Sequence, residues 1–242
     1  MIRDAMAARR QYAFQRVWRA IFAGLIAFCG LAAAQVPPSP REIAAYTGLH
    51  AAAHQGNMGD LGRLLAVPGV IVDARDGYGR TPLHVATFAR QREAIRALVA
   101  AGANTGTLER DRYDAVTIAT VADDEETLRV LLSLAASAKL TTSRYDGTAL
   151  IAAAHLGHDG VVRQLIKAGA PLDHINNLHW TALIEAIVLG DGGPRHQRTL
   201  QALLDAGAST AITDRNGRTP LQLARARGYE AMVRQLLAAG AR

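Results

Sequence analysis

The chain has 242 residues, 20% of them charged and only 5% aromatic, with a formal net charge of +6. Five Arg and one Asp in the first 19 residues supply +4 of that charge, so the basic balance belongs to the N-terminus and does not argue for nucleic-acid binding. The single cysteine, Cys29, lies in the same region, which leaves the rest of the chain without disulfides or thiol chemistry.

The first 34 residues read as an export signal. Arg3, Arg9, Arg10, Arg16 and Arg19 precede an uncharged apolar run from Ala20 to Leu31, and Ala32-Ala33-Ala34 offers a small-residue cleavage site. The run is shorter than the roughly 20 apolar residues a spanning helix needs. Bulky Phe28 before Cys29 argues against a lipid anchor. Residues 1–34 are therefore expected to be a cleaved signal peptide, with an uncleaved anchor as the alternative. Residues 35–41, containing Val36-Pro-Pro-Ser-Pro40, form a stiff linker. Ser39-Pro40-Arg41-Glu42 is a capping box with proline at the first helical position, so helix should begin there.

From residue 42 onward the chain repeats. Its clearest unit starts at Asp76-Gly-Tyr-Gly-Arg80, which is turn chemistry, followed by Thr81 as helix cap and Pro82 at the first helical position. Leu83 and Ala86 open an apolar stripe, Ile95, Leu98 and Val99 mark a second helix, and Gly102-Ala103 closes it. Aligned on the cap, the chain shows Thr47, Thr81, Asp114, Thr148, Thr181 and Thr219. Five residues after each cap stands alanine: Ala52, Ala86, Ala119, Ala153, Ala186 and Ala224. Two residues after it stand Leu49, Leu83, Val116, Leu150, Leu183 and Leu221. Alanine at a fixed position lets neighbouring inner helices approach to roughly 8–10 Å.

This pattern, with Thr81-Pro-Leu-His84 and a period of about 33 residues, resembles that of ankyrin-repeat proteins over about Arg41 to Arg242. The resemblance implies an all-α fold, an ankyrin-repeat α-solenoid of about six helix-turn-helix repeats over residues 42–242. It also implies binding rather than catalysis. Repeat one lacks the Asp-x-x-Gly turn and should be a cap of helices only. Repeat three has Asp114-Ala-Val-Thr117 for the usual motif and Ala135-Ala136 for Gly-Ala, so its turn into repeat four is expected to be irregular. Repeat five carries an insertion within Gly190–His196, which reads as a partner-contacting flap or as a tolerated surface insertion.

No catalytic constellation emerges: the serines lack a Gly-x-Ser-x-Gly setting, and Gly190-Asp-Gly-Gly-Pro194 lacks both the lysine and the preceding strand of a phosphate loop. His50 and His54 are spaced as chelators, and His155 and His158 flank a glycine turn, but neither pair has a suitably spaced third ligand. The resemblance gives His50 and His84 a structural role in the turn. No cofactor and no metal are expected.

The functional signal is aromatic. Tyr78, Tyr113, Tyr145 and Trp180 fall in the turn before the cap, one per repeat, and Tyr46 precedes its cap likewise. Phe88 and His155 end inner helices on the same side, and Arg80, Arg110, Arg144, Arg215 and Arg218 line the same fingers. Ankyrin proteins usually meet partners on such a concave face. The candidate partner-binding row is Tyr78, Arg80, Phe88, Tyr113, Arg144, Tyr145, His155 and Trp180, because Tyr and Trp give large contact area at low entropic cost. The competing reading is that each ring packs on the neighbouring finger and stiffens the stack. The expected function is a monomeric, non-catalytic protein-interaction module in the periplasm, binding another exported protein, without nucleic acid and touching membrane only through an uncleaved leader. The alternatives are a glycan or small-molecule binder, and a metal-dependent enzyme using the histidines and the Gly190–His196 loop.

Overall fold

The computed structural model describes residues 35–242, and the expected signal peptide lies outside them. Residues Pro37–Arg242 form one compact unit. Among the described residues there are thirteen helices, one single and six pairs: α1 (Pro40–Ala45), then α2 (Gly48–Gln55) with α3 (Met58–Leu65), α4 (Pro82–Phe88) with α5 (Arg92–Ala100), α6 (Ala115–Val121) with α7 (Glu125–Ser133), α8 (Ala149–Leu156) with α9 (Asp159–Lys167), α10 (Ala182–Val188) with α11 (Pro194–Asp205), and α12 (Pro220–Arg227) with α13 (Glu230–Ala238). The first member of each pair packs on the first member of the next, and the second on the second, which is the connectivity of a solenoid. Among the described residues no helix is long and apolar enough to cross a membrane.

The caps begin the helices as their chemistry requires. The side-chain oxygens of Thr81, Asp114, Thr148, Thr181 and Thr219 each accept the backbone N–H three residues on, at 2.8–3.4 Å. Thr47 caps α2 by position alone, without a side-chain bond. Ser39 and Glu42 close a complete capping box, so helix starts at Pro40, within the stretch read as linker. Repeat one consists of α1–α3 without a finger turn.

All six alanines of the sequence column are at most 3% exposed. Leu83, Leu150, Leu183 and Leu221 pack beside them, also at most 2% exposed, each burial contributing about 1.5–3 kcal/mol. Each unit completes a core that it could not close alone.

The helix exit of repeat three is regular, and the irregularity expected in the turn into repeat four comes after it. Ala135 takes the left-handed conformation at φ 60°, as Gly102, Gly169, Gly207 and Gly240 do in the other repeats. Ala136 N–H then reaches Leu131 O at 3.1 Å, as Ala103 N–H reaches Leu98 O at 2.9 Å. The departure lies further on, where β1 (Thr141–Thr142) and β2 (Gly147–Thr148) make a short antiparallel hairpin with Thr141 opposite Thr148.

Candidate functional site

The fingers are built around one acceptor five residues before each cap. Asp76 Oδ1 accepts the N–H groups of Tyr78 and Arg80 at 2.8 and 2.9 Å. Glu109 Oε1 does the same for Asp111 and Tyr113, Asn176 Oδ1 for Leu178 and Trp180, and Asp214 Oδ1 for Asn216 and Arg218, all at 2.9–3.1 Å. Ser143 Oγ serves Tyr145 alone, at 3.2 Å. Sequence reasoning saw the aspartates but not that Glu109, Ser143 and Asn176 occupy the same column. Two residues before the cap the backbone is left-handed in five fingers, at Gly79, Arg112, Asp146, His179 and Gly217.

This geometry divides the aromatic row in two. Tyr78 and Tyr145, three residues before their caps, are exposed at 39% and 37%. Tyr46, Tyr113 and Trp180, one residue before theirs, are half-buried, and Trp180 packs against the hydrophobic core. Tyr46 OH donates to Asp76 Oδ2 at 2.8 Å, and burial together with that bond raises its pKa. Burial likewise raises that of Tyr113.

Arg80 cannot serve as a binding residue on the surface. It shares the position before the cap with the half-buried rings and is 1% exposed, its guanidinium bound to Asp76 Oδ2 at 2.7 Å and to Glu42. It lies 4.6 Å from the Tyr78 ring centroid, and Arg110 lies 5.0 Å from the same centroid. Four other finger arginines also hold the stack together: Arg110 donates to Gly77 O, Arg112 pairs with Asp146, Arg144 with Asp111, and Arg215 donates to Asn177 O, while Arg218 pairs with Asp214 inside its own finger. Arg144 nevertheless stays 60% exposed in its side chain. Stiffening of neighbouring fingers is therefore a role these arginines fill, whatever they contact beyond it.

Phe88 ends α4 and His155 lies in the last turn of α8, both half-buried. Beneath His155 lies a residue that sequence reasoning missed, Glu185 of α10. It is 4% exposed; Asn176 Nδ2 donates to its Oε1 at 2.9 Å, and its Oε2 has no hydrogen-bond partner among the described residues. His155 Nδ1 is 3.8 Å from that oxygen, too far for a hydrogen bond. Burial pushes the Glu185 carboxyl up to about 7, and burial with the neighbouring His196 and His158 lowers His155.

Several other histidines hold backbone. His84 Nδ1 accepts the Thr81 N–H at 3.0 Å, which leaves Nε2 to donate to Thr107 O at 2.9 Å, and burial lowers its pKa to about 4. His50 bonds Arg80 O at 3.0 Å and His158 bonds Thr120 O at 2.9 Å. Among the described residues no three His, Cys, Asp or Glu side chains converge as a metal site. A groove of about 480 Å³ lies between α9 and α11, lined by Arg163, Lys167 and Arg198, of which Arg163 and Arg198 are bound to Asp159.

Comparison with known proteins agrees with this arrangement. The family model described as ankyrin repeats (3 copies) matches residues 25–109, 49–142 and 116–214, and that of a single ankyrin repeat matches 216–242. The chain belongs to the ankyrin-repeat family. The Escherichia coli (strain K12) ankyrin repeat protein YahD is 36% identical to it over 191 residues, 78% of this chain and 94% of that one. The solved ankyrin repeat domain from Acinetobacter baumannii AYE is 41% identical with a TM-score of 0.74, covering 80% of this ankyrin-repeat chain and 98% of that one. The ankyrin repeat domain of Bcl-3 is 31% identical with a TM-score of 0.73, covering 81% and 87%. Ankyrin repeats are generally protein–protein interaction modules, and the fold is typically non-catalytic.

Proposed function

We propose that this ankyrin-repeat chain is a non-catalytic adaptor that binds another exported protein in the periplasm through its fingertips and inner-helix face. The observation that carries the reading is the exposure of two large rings, Tyr78 and Tyr145, on fingers two repeats apart. Arg144 beside Tyr145, Phe88 and His155 at the ends of inner helices, and Tyr113 and Trp180 at the finger bases complete the contact surface. Exposed tyrosines ringed by satisfied polar groups have the character of an interface hot spot. The basic start and apolar run of residues 1–34 support export.

The test is capture of a stoichiometric protein from periplasmic extract by the mature chain, followed by Tyr78→Ala with Tyr145→Ala. Loss of two hot-spot rings should weaken binding by roughly 30-fold or more with the circular dichroism spectrum unchanged. Capture at undiminished affinity would remove the tyrosines from the interface. N-terminal sequencing of the exported protein should begin at Gln35, and a start at Met1 would count against cleavage.

A further inference from the structure

We propose that the segment from Gly190 to Arg198 is a clamp that joins repeats three, four, five and six into one folding block. It goes beyond the binding role and does not depend on it. The segment contains the insertion of repeat five, and α11 behind it has 12 residues where the other second helices have eight or nine.

Its side chains reach in both directions along the stack. Arg195 Nη2 donates to Asp123 Oδ2 of repeat three at 2.7 Å, while its Nε donates to Gly157 O of repeat four at 3.0 Å. His196 bonds His155 O at 2.9 Å through Nε2 and Asp191 Oδ1 at 2.8 Å through Nδ1. Arg198 grips Asp159 with two nitrogens at 2.9 and 3.3 Å. Toward the C-terminus, Tyr229 OH of repeat six donates to Gly190 O at 2.9 Å, and Gln235 Nε2 donates to Gln197 O at 3.0 Å. Close fit fixes the path: a Cβ on Gly192 would stand 2.6 Å from the Tyr229 ring, and one on Gly190 would stand 2.1 Å from Ala186 O. Two carbonyls at the C-terminal end of α8, His155 O and Gly157 O, thus take partners from repeat five.

The bond to Asp123 is unlike the others. It spans 72 positions, two repeats, whereas the bonds of Tyr46 and His196 to their neighbouring repeats span 30 and 41. A solenoid coupled only between nearest neighbours can open one repeat at a time from an end. A tie across repeat four means that it cannot open without also releasing three and five, so the four repeats open together.

Native-state hydrogen exchange on the whole chain, with rising denaturant, tests this. Amides of α6, α8, α10 and α12 should share one opening reaction, while those of α2 and α4 open earlier. In Arg195→Ala with His196→Ala, exchange in α10 and α12 should quicken by roughly tenfold and that in α2 and α4 should not change. Wild-type amides of α6 and α12 that open separately, or a variant that exchanges like wild type, would overturn the clamp. If that variant does not fold, Tyr229→Phe is read instead: it deletes one hydroxyl and the bond to Gly190 O, and exchange should quicken in α12 and α13. Unchanged exchange there would overturn the proposal equally.

Discussion

Replacing Glu185 by glutamine should stabilise the protein at neutral and alkaline pH and leave it nearly unchanged in acid. In the unfolded chain this carboxyl titrates near 4.5; burial in α10 moves it to about 7. Between those values the folded protein holds a proton that the unfolded chain has released. Stability therefore falls as pH rises through the interval, and the loss is complete above the folded value. At about pH 8 the penalty amounts to about 3 kcal/mol. Glutamine keeps the shape, its carbonyl can still accept from Asn176, and it has no charge to desolvate. His84 acts with the opposite sign. Its pKa drops from 6.5 to about 4, so the unfolded chain takes up a proton that the folded state refuses, and stability is lost as pH falls through that window. From about pH 4.5 to 6.5 the two slopes oppose each other, so this pair contributes a plateau in the wild type; Glu185→Gln should expose the rising limb to which His84 contributes. Urea titrations followed by circular dichroism, at steps from about pH 4 to pH 8, measure the difference between the two proteins and cancel every group they share. Curves that stay parallel over the whole range would refute the assignment of a raised carboxyl to Glu185.

Two further substitutions test the fold. Ala135→Gly places glycine where the backbone is already left-handed and the side chain is exposed, so stability should rise by up to about 1 kcal/mol, read as a higher urea midpoint; a fall would mean that the turn is not held by its backbone bonds. Arg80→Ala leaves the Asp76 and Glu42 carboxylates without their shared cation and should cost about 3 kcal/mol, the low end for a buried pair because Glu42 is a quarter exposed. In the same variant, partner capture per folded molecule should be unchanged, since Arg80 has no surface to offer; a specific loss of affinity would return it to the interface.

The fold was legible because its signals are local and repeated. Cap, proline, alanine and closing glycine recur at one spacing, and each has a single physical use. What remained hidden were substitutions that keep the geometry with different chemistry. Glu109 replaces the turn aspartate because its longer side chain still brings one oxygen to two N–H groups. Ala135 replaces the closing glycine because the bond from Ala136 to Leu131 fixes the turn and outweighs the cost of a Cβ at positive φ. The insertion of repeat five looked like loop because its partners, Asp123, Gly157 and Tyr229, lie in three other repeats and no local pattern announces them.

The candidate site was legible as composition but not as depth. Aromatics were correctly placed in the fingers, yet a row read along the chain is two rows in space. Rings three residues before the cap stand at the tips of repeats two and four, and rings one residue before it lie at the bases of repeats three and five. Any partner crossing the fingers therefore meets a raised tyrosine and a recessed ring by turns. The same difference in depth decides how the rings can be tested. Trp180 is packed on the core, so truncating it would loosen the stack as well as any interface, and a lost affinity would have two causes. Tyr78 and Tyr145 are not part of the core cluster, so truncating them tests the proposed contact surface while the core packing stays in place.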